Sequence, residues 1–166
     1  LNYQRNQATA AHGIAVITMP ENRWARVDIK STGLLPNVLA RQAARERGAY
    51  EAWFVDADGL VTEGAASNAW IVTKDRRLIT RQADHGILKG ITRTVVKDVL
   101  AALQLTLEER AFSVEEAKQA AEAFVTSASQ LVMPVVKVDD MMIGNGQPGP
   151  ISRQLREEFH RFAEFS

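Results

Sequence analysis

The chain has 166 residues, 46% of them hydrophobic, with 20 basic and 20 acidic side chains, a formal net charge of zero and no cysteine. That length matches one domain with a real core. The balanced charge removes the basic surplus that nucleic-acid binding needs, and the absence of cysteine excludes a disulfide scaffold, a thiol nucleophile and thiolate-ligated zinc.

No run of 18 apolar residues occurs, so no membrane span is expected, and Leu1-Asn2-Tyr3-Gln4-Arg5 is unlike a signal peptide. A cytoplasmic protein is the default expectation. Residues 1–12 are polar and without period and read as a linker. The apolar run Gly13 to Thr18, closed by Pro20, predicts a strand. Trp24 to Lys30 alternates and predicts a second strand or an extended loop. Pro36 opens a helix in which Leu35, Val38, Leu39 and Ala43 recur at helical spacing, and Gly48 stops it. Strands are expected at 49–55, 60–62, 68–73 and 78–80, with a hairpin turn at Asp56-Ala57-Asp58-Gly59. Together they read as one antiparallel meander. A helix starting near Ile91 has Val96, Val99, Leu100 and Leu103 as its buried stripe. Ser113-Val114-Glu115-Glu116 is a capping box ahead of a short helix. Phe124 to Thr126 and Leu131 to Val138 predict strands, 144–150 a loop, and Leu155, Phe159 and Phe162 the apolar face of a last helix. Hairpins outnumber crossovers, which argues α+β rather than a doubly wound sheet.

The common nucleotide loops G-x-x-x-x-G-K-[ST] and G-x-G-x-x-G are absent, as is the G-x-S-x-G nucleophile elbow. His12, His85 and His160 share no ligand spacing, and no metal site is expected. Four segments stand out. Lys30 ends an apolar run just before a helix start. Partial burial there frees a lysine amine as a nucleophile, whereas a plain strand-end lysine keeps its head in water. Only six lysines compete for such a role, against fourteen arginines that stay protonated. Glu63-Gly64-Ala65-Ala66-Ser67-Asn68 sets a carboxylate beside small residues that let a ligand approach the backbone; it also reads as an ordinary loop. Leu88-Lys89-Gly90-Ile91-Thr92 places a glycine and a threonine at a helix start, a ready anion site, or a simple cap. Val125-Thr126-Ser127-Ala128-Ser129 ends a strand in hydroxyl-rich residues that suit the same anion or a polar turn.

In this order the segments resemble the class IV (fold type IV) pyridoxal-phosphate aminotransferases. The carrying residues are Asp28-Ile29-Lys30-Ser31-Thr32-Gly33-Leu34-Leu35-Pro36-Asn37-Val38-Leu39-Ala40, Thr62-Glu63-Gly64 through Asn68, Leu88-Lys89-Gly90-Ile91-Thr92-Arg93, and Val125-Thr126-Ser127. The first element points to the D-amino-acid aminotransferase branch. The lysine followed by Gly-Asn-Tyr, typical of branched-chain enzymes, is missing. The resemblance implies the α+β large domain of the D-amino-acid aminotransferase-like fold over residues 13–166, a mixed, mainly antiparallel sheet or barrel flanked by helices, and pyridoxal 5'-phosphate as cofactor. It implies amino-group transfer between an amino acid, foremost a D-amino acid, and a 2-oxo acid. Lys30 would form the Schiff base and shuttle the proton, and Glu63 would face the pyridine nitrogen. Leu88 would pack on the ring. Ile91, Thr92, Ser127 and Ala128 would bind the phosphate.

Ala128 stands where many members carry threonine, Leu131 where several carry glutamate, and Trp70 where phenylalanine is common. The family's smaller N-terminal domain has no counterpart in residues 1–12, so the expectation is a cofactor-binding domain cut from a longer, homodimeric enzyme, with Leu1 marking the cut. A branched-chain aminotransferase, an aminodeoxychorismate lyase and a non-catalytic domain of the same fold are the alternatives.

Overall fold

A computed structural model describes residues 3–102 and 105–164. In chain order these form α1 (Tyr3–His12), β1 (Ile14–Pro20), α2 (Leu35–Glu46), β2 (Glu51–Val55), β3 (Val61–Gly64), β4 (Asn68–Val72), β5 (Arg77–Thr80), α3 (Ile91–Ala102), β6 (Thr106–Glu109), α4 (Val114–Gln119), β7 (Glu122–Ser127), β8 (Leu131–Val138), β9 (Met141–Met142) and α5 (Pro150–Glu164). The strands join in one mixed sheet of order β3-β2-β1-β8-β7-β4-β5-β6, with β9 on β8. β1 runs parallel to both β2 and β8, and β5 parallel to β6; the other pairings are antiparallel. The architecture is the expected α+β one, a curled half-barrel flanked by helices.

Side-chain alternation splits the core into layers. In β4, Ala69 and Ile71 enter a cluster with Val16, Trp53, Phe112 and Val125, while Trp70 and Val72 enter one beneath α3 and α5 with Val96, Phe124, Leu155 and Phe159. A third cluster joins Ile17, Ala52 and Phe54 to Ala40 and Ala44 of α2. With both faces covered, β4 is apolar at every position after Asn68. Trp70 keeps its indole N–H satisfied by donating to Thr126 Oγ1 at 2.9 Å, and its ring stacks on Phe124.

Several expectations change. Residues 3–12 are a helix, and its Ala10 is buried in the core. Residues 24–30 form no strand; they are turn and loop. The 49–80 block is two hairpins rather than one meander: β2–β3 and β4–β5 pair, but β4 pairs next with β7 and β3 forms the sheet edge. Helix α2 faces the sheet with its alanines, and the larger Leu35, Val38 and Leu39 are 68%, 58% and 57% exposed. The strand β6 has no apolar pattern to announce it; its acidic residues pair with Arg77, Arg93 and Lys97. Helix α3 buries Val96, Val99 and Leu100 as expected. Leu103 and the Phe162 side chain lie outside the described residues.

The Ser113 hydroxyl accepts from the Glu116 amide at 3.0 Å, as a capping serine should. The start of α5 is capped from a distance. The Ile151 and Ser152 amides each donate to a carboxylate oxygen of Glu122 at 2.9 Å, and Gly149 leaves room where a Cβ would collide with that carboxylate. Among the described residues no helix is long and apolar enough to cross a membrane. Replacing Glu122 by alanine leaves two buried amides unpaired at a helix N-terminus. A loss of about 1–3 kcal/mol in unfolding free energy is expected, read from the urea midpoint with the slope unchanged.

Candidate active site

The curl of the sheet brings together strand ends that are far apart in strand order. The edge strand β3 ends at Gly64 and β4 begins at Asn68, and the connection folds tightly: the Gly64 amide donates to the Ser67 carbonyl at 2.7 Å. A Cβ on Gly64 would collide with the Ser67 hydroxyl, so only glycine fits. Asn68 lies opposite Thr126 in the sheet, which aligns this turn with the β7–β8 hairpin. Gly90 and the start of α3 close a third side, and a Cβ on Gly90 would come within 2.5 Å of Asn68 Oδ1.

The result is a cavity of about 430 Å³, within the range of cofactor pockets. Its wall carries Lys30, Glu63, Leu88, Ile91, Thr92, Ser127 and Ala128, so every residue singled out in the sequence reaches one space. A second cavity of about 230 Å³, lined among others by Trp24, Val27, Ile29 and Leu34, shares Lys30, Glu63 and Leu88 with the first.

At one end sits Glu63, 5% exposed. Its carboxylate accepts from Arg23 Nη1 at 2.5 Å, from Asn68 Nδ2 at 3.0 Å and from the Leu88 amide at 3.2 Å to both oxygens. Burial pushes Glu63 up to about 7, against the opposing pull of Arg23 and the Leu88 amide. Arg23 is shared. Its Nε and Nη2 donate to the two oxygens of Glu21 at 2.8 and 2.5 Å, and its guanidinium lies over the Phe54 ring at 4.5 Å. Burial raises Glu21, but hydrogen bonds from Arg23 and Thr62 outweigh it and hold this carboxyl below its ordinary value. Glu21 is therefore ionised and balances Arg23 near neutral pH, while Glu63 is poised between its neutral and its charged form.

The other end is built for an anion. Helix α3 starts at Ile91, so its first amides are free of intrahelical acceptors and the helix dipole is positive there. Thr92 adds a hydroxyl, and Ser127 and Ser129 add two more from the facing hairpin. Lys30 lines the same cavity from a segment without regular structure. It is exposed rather than partly buried, and it makes no hydrogen bond or ion pair with the described residues. Asp28 is held away from this work. It pairs with Arg26 at 2.8–2.9 Å and with His85 Nδ1 at 3.3 Å, and the Arg26 guanidinium keeps its carboxyl well below the usual range.

Arg23 escaped the sequence reading. Its partners lie in Glu21 and, forty positions on, in Glu63, and only the folded loop joins them. Asn68 was visible in the T-E-G-x-x-S-N pattern, but its bridge from Glu63 to the Leu88 carbonyl, at 2.8 Å, was not. Among the described residues no group of three metal-ligating side chains converges.

Comparison with known proteins accounts for this arrangement. Residues 2–138 match the family Amino-transferase class IV. The D-alanine aminotransferase of Staphylococcus haemolyticus is 40% identical over 163 residues, which is 98% of this chain and 57% of that protein. The chain thus spans little more than half the length of this relative. Among solved structures, the Escherichia coli branched-chain amino acid aminotransferase superposes with a TM-score of 0.84 at 28% identity, covering 92% of this chain and 52% of that one. The branched-chain amino acid aminotransferase of Thermobaculum terrenum, solved in its PLP (holo) form, gives 0.81 at 29% identity over 90% of this chain and 50% of its own. The family match runs through every segment that lines the larger cavity, and the chain therefore belongs to the class IV aminotransferases, which work with pyridoxal phosphate.

Proposed function

We propose that this chain is the cofactor-holding part of a D-amino-acid aminotransferase, which moves the amino group of a D-amino acid to a 2-oxo acid. The observation that carries the reading is that Lys30, the buried carboxylate of Glu63 and the start of α3 line one cavity. The D-I-K-S pattern around Lys30 and the D-alanine aminotransferase name of the 40%-identical relative support the choice of substrate. Because the chain covers only 57% of that relative, we place part of the substrate site on residues outside it.

The donor set fits the cofactor. Ile91 and Thr92 amides, the Thr92 hydroxyl and the Ser127–Ser129 turn would hold its phosphate. Leu88 would cover a ring face, and Glu63 would hold the proton on the ring nitrogen. When bound, pyridoxal phosphate supplies the aldehyde carbon that carries the amino group and a ring that accepts the electron pair freed at the substrate α-carbon. Lys30 would do the proton work: its amine would take the proton from the substrate α-carbon and return it to the cofactor's former aldehyde carbon, on the far side of the amino nitrogen. Arg23 and Asn68 keep Glu63 in place. Glu63 in its charged form favours a protonated ring nitrogen, and that cation in turn keeps Glu63 ionised. The smaller cavity, walled by Trp24, Val27, Ile29 and Leu34, would take the substrate side chain. The exposed apolar face of Leu34, Leu35, Val38 and Leu39 is the surface we assign to homodimer contact.

Borohydride reduction of the cofactor-loaded protein should leave the pyridoxyl mass on the Lys30 peptide, and a label on another lysine would sink the assignment. Lys30→Ala is expected to lower D-alanine:2-oxoglutarate turnover by about 10²–10⁴-fold. Glu63→Gln should cost about 10²–10³-fold. In the cofactor-free chain the raised Glu63 binds its proton more tightly folded than unfolded, so it lowers stability as pH rises from 4.5 through about 7. Urea unfolding across that window should show this decline in the parent and not in Glu63→Gln. Val38→Asp with Leu39→Asp should shift light scattering towards the monomer, and an unchanged mass would remove the assigned contact.

A further inference from the structure

The turn that closes the anion end of the cavity contains a residue in an unfavourable backbone region. β7 and β8 are joined through Ala128, Ser129 and Gln130, with Ser127 paired to Leu131. Hairpins of this length commonly need a left-handed residue where the loop rejoins the strand, and glycine is the usual choice. Here that residue is Leu131, with φ of 58°. A leucine in this region sets its Cβ against the following carbonyl. Such a conformation persists only where its surroundings over-determine it.

The surroundings do so from both sides of Leu131. Arg156 of α5 is 7% exposed, and its Nη1 donates to the Gln130 carbonyl at 2.7 Å and to the Val132 carbonyl at 2.6 Å. One buried guanidinium nitrogen therefore grips the chain immediately before and immediately after the strained residue. The Leu131 side chain packs against the cluster of Trp70, Phe124 and Leu155. Two lighter contacts hold the rest of the turn: Gln130 Nε2 donates to Tyr50 Oη at 2.9 Å, and Asn6 Nδ2 donates to the Ser129 carbonyl at 3.0 Å.

We propose that Arg156 is a positioning residue for phosphate binding: by clamping the carbonyls on either side of Leu131 it fixes the shape in which the Ser127–Ser129 turn offers its amides and hydroxyls to the anion. The proposal rests on the reading of that turn as part of the phosphate cradle. It matters more in this chain because Ala128 brings no hydroxyl, so the cradle relies on backbone donors whose directions follow the turn. Arg156 does not line either of the two cavities.

The test titrates the protein with pyridoxal phosphate and with pyridoxal, which lacks the phosphate, by absorbance. Arg156→Met is expected to weaken pyridoxal phosphate about 10-fold and pyridoxal less than about 2-fold. Adding Leu131→Gly to Arg156→Met should restore most of the lost affinity, because glycine holds the left-handed conformation without a clamp. Arg156→Gln, which reaches at most one carbonyl, should give a smaller selective loss and serves if the methionine variant does not fold. Equal weakening of both ligands, weakening of neither, or a selective loss that glycine does not repair overturns the proposal. If the parent binds pyridoxal phosphate no more tightly than pyridoxal, the cradle reading itself fails before any variant is considered.

Discussion

A carboxylate removed from water must have partners at both oxygens, and Glu63 finds them in segments that share no sequence neighbourhood. Arg23 comes from the long connection after β1, Asn68 from the start of β4, and the Leu88 amide from the approach to α3. Loss of a partner would leave a buried charge poorly compensated, an expensive condition in a protein interior. The three segments are therefore tied to one another through the carboxylate. Those same segments carry Lys30, the Ala66–Ser67 wall and the anion-binding helix start. Holding the charge and shaping the cavity are one constraint.

The sheet makes this convergence possible. Because β1 is parallel to both neighbours, the two hairpins of the 49–80 block are set on opposite sides of it, and the curl returns the end of β3 to the start of β4. The two ends of the cavity then differ in polarity. Glu63, an acid paired with Arg23, and the positive start of α3, with hydroxyl residues beside it, line one cavity. A ligand with a basic ring nitrogen at one end and a phosphate at the other matches that polarity, and Lys30 lines the same cavity.

Legibility followed the range of the interaction that decides each feature. The capping serine at 113, the Asp56–Gly59 turn and the stripe of α3 rest on contacts within a few residues, and they are where the spacing put them. Helix α2 had the right span and the wrong buried face. Its large apolar residues have the period of a core stripe, but the sheet surface over Phe54 and Ala52 is packed closely by alanines, which leaves Leu35, Val38 and Leu39 outside. Helix α1 lacks an apolar period, and of its described side chains Ala10 is the buried one, while β6 is placed by ion pairs that no local pattern records.

By itself the sequence determined which residue types are available for chemistry: six lysines, no cysteine, and four short motifs whose order marks the family. It determined the Asp56–Gly59 turn and the starts of α2, α3 and α4, because capping and turn chemistry are local. Only the tertiary structure decided that Lys30 is exposed, that Arg23 is shared between two carboxylates, and that Leu131 is held left-handed by a guanidinium from the last helix. Each of these depends on at least one contact between residues 26 or more positions apart, or on access to solvent. Such contacts come into being when the sheet curls and leave no period in the chain.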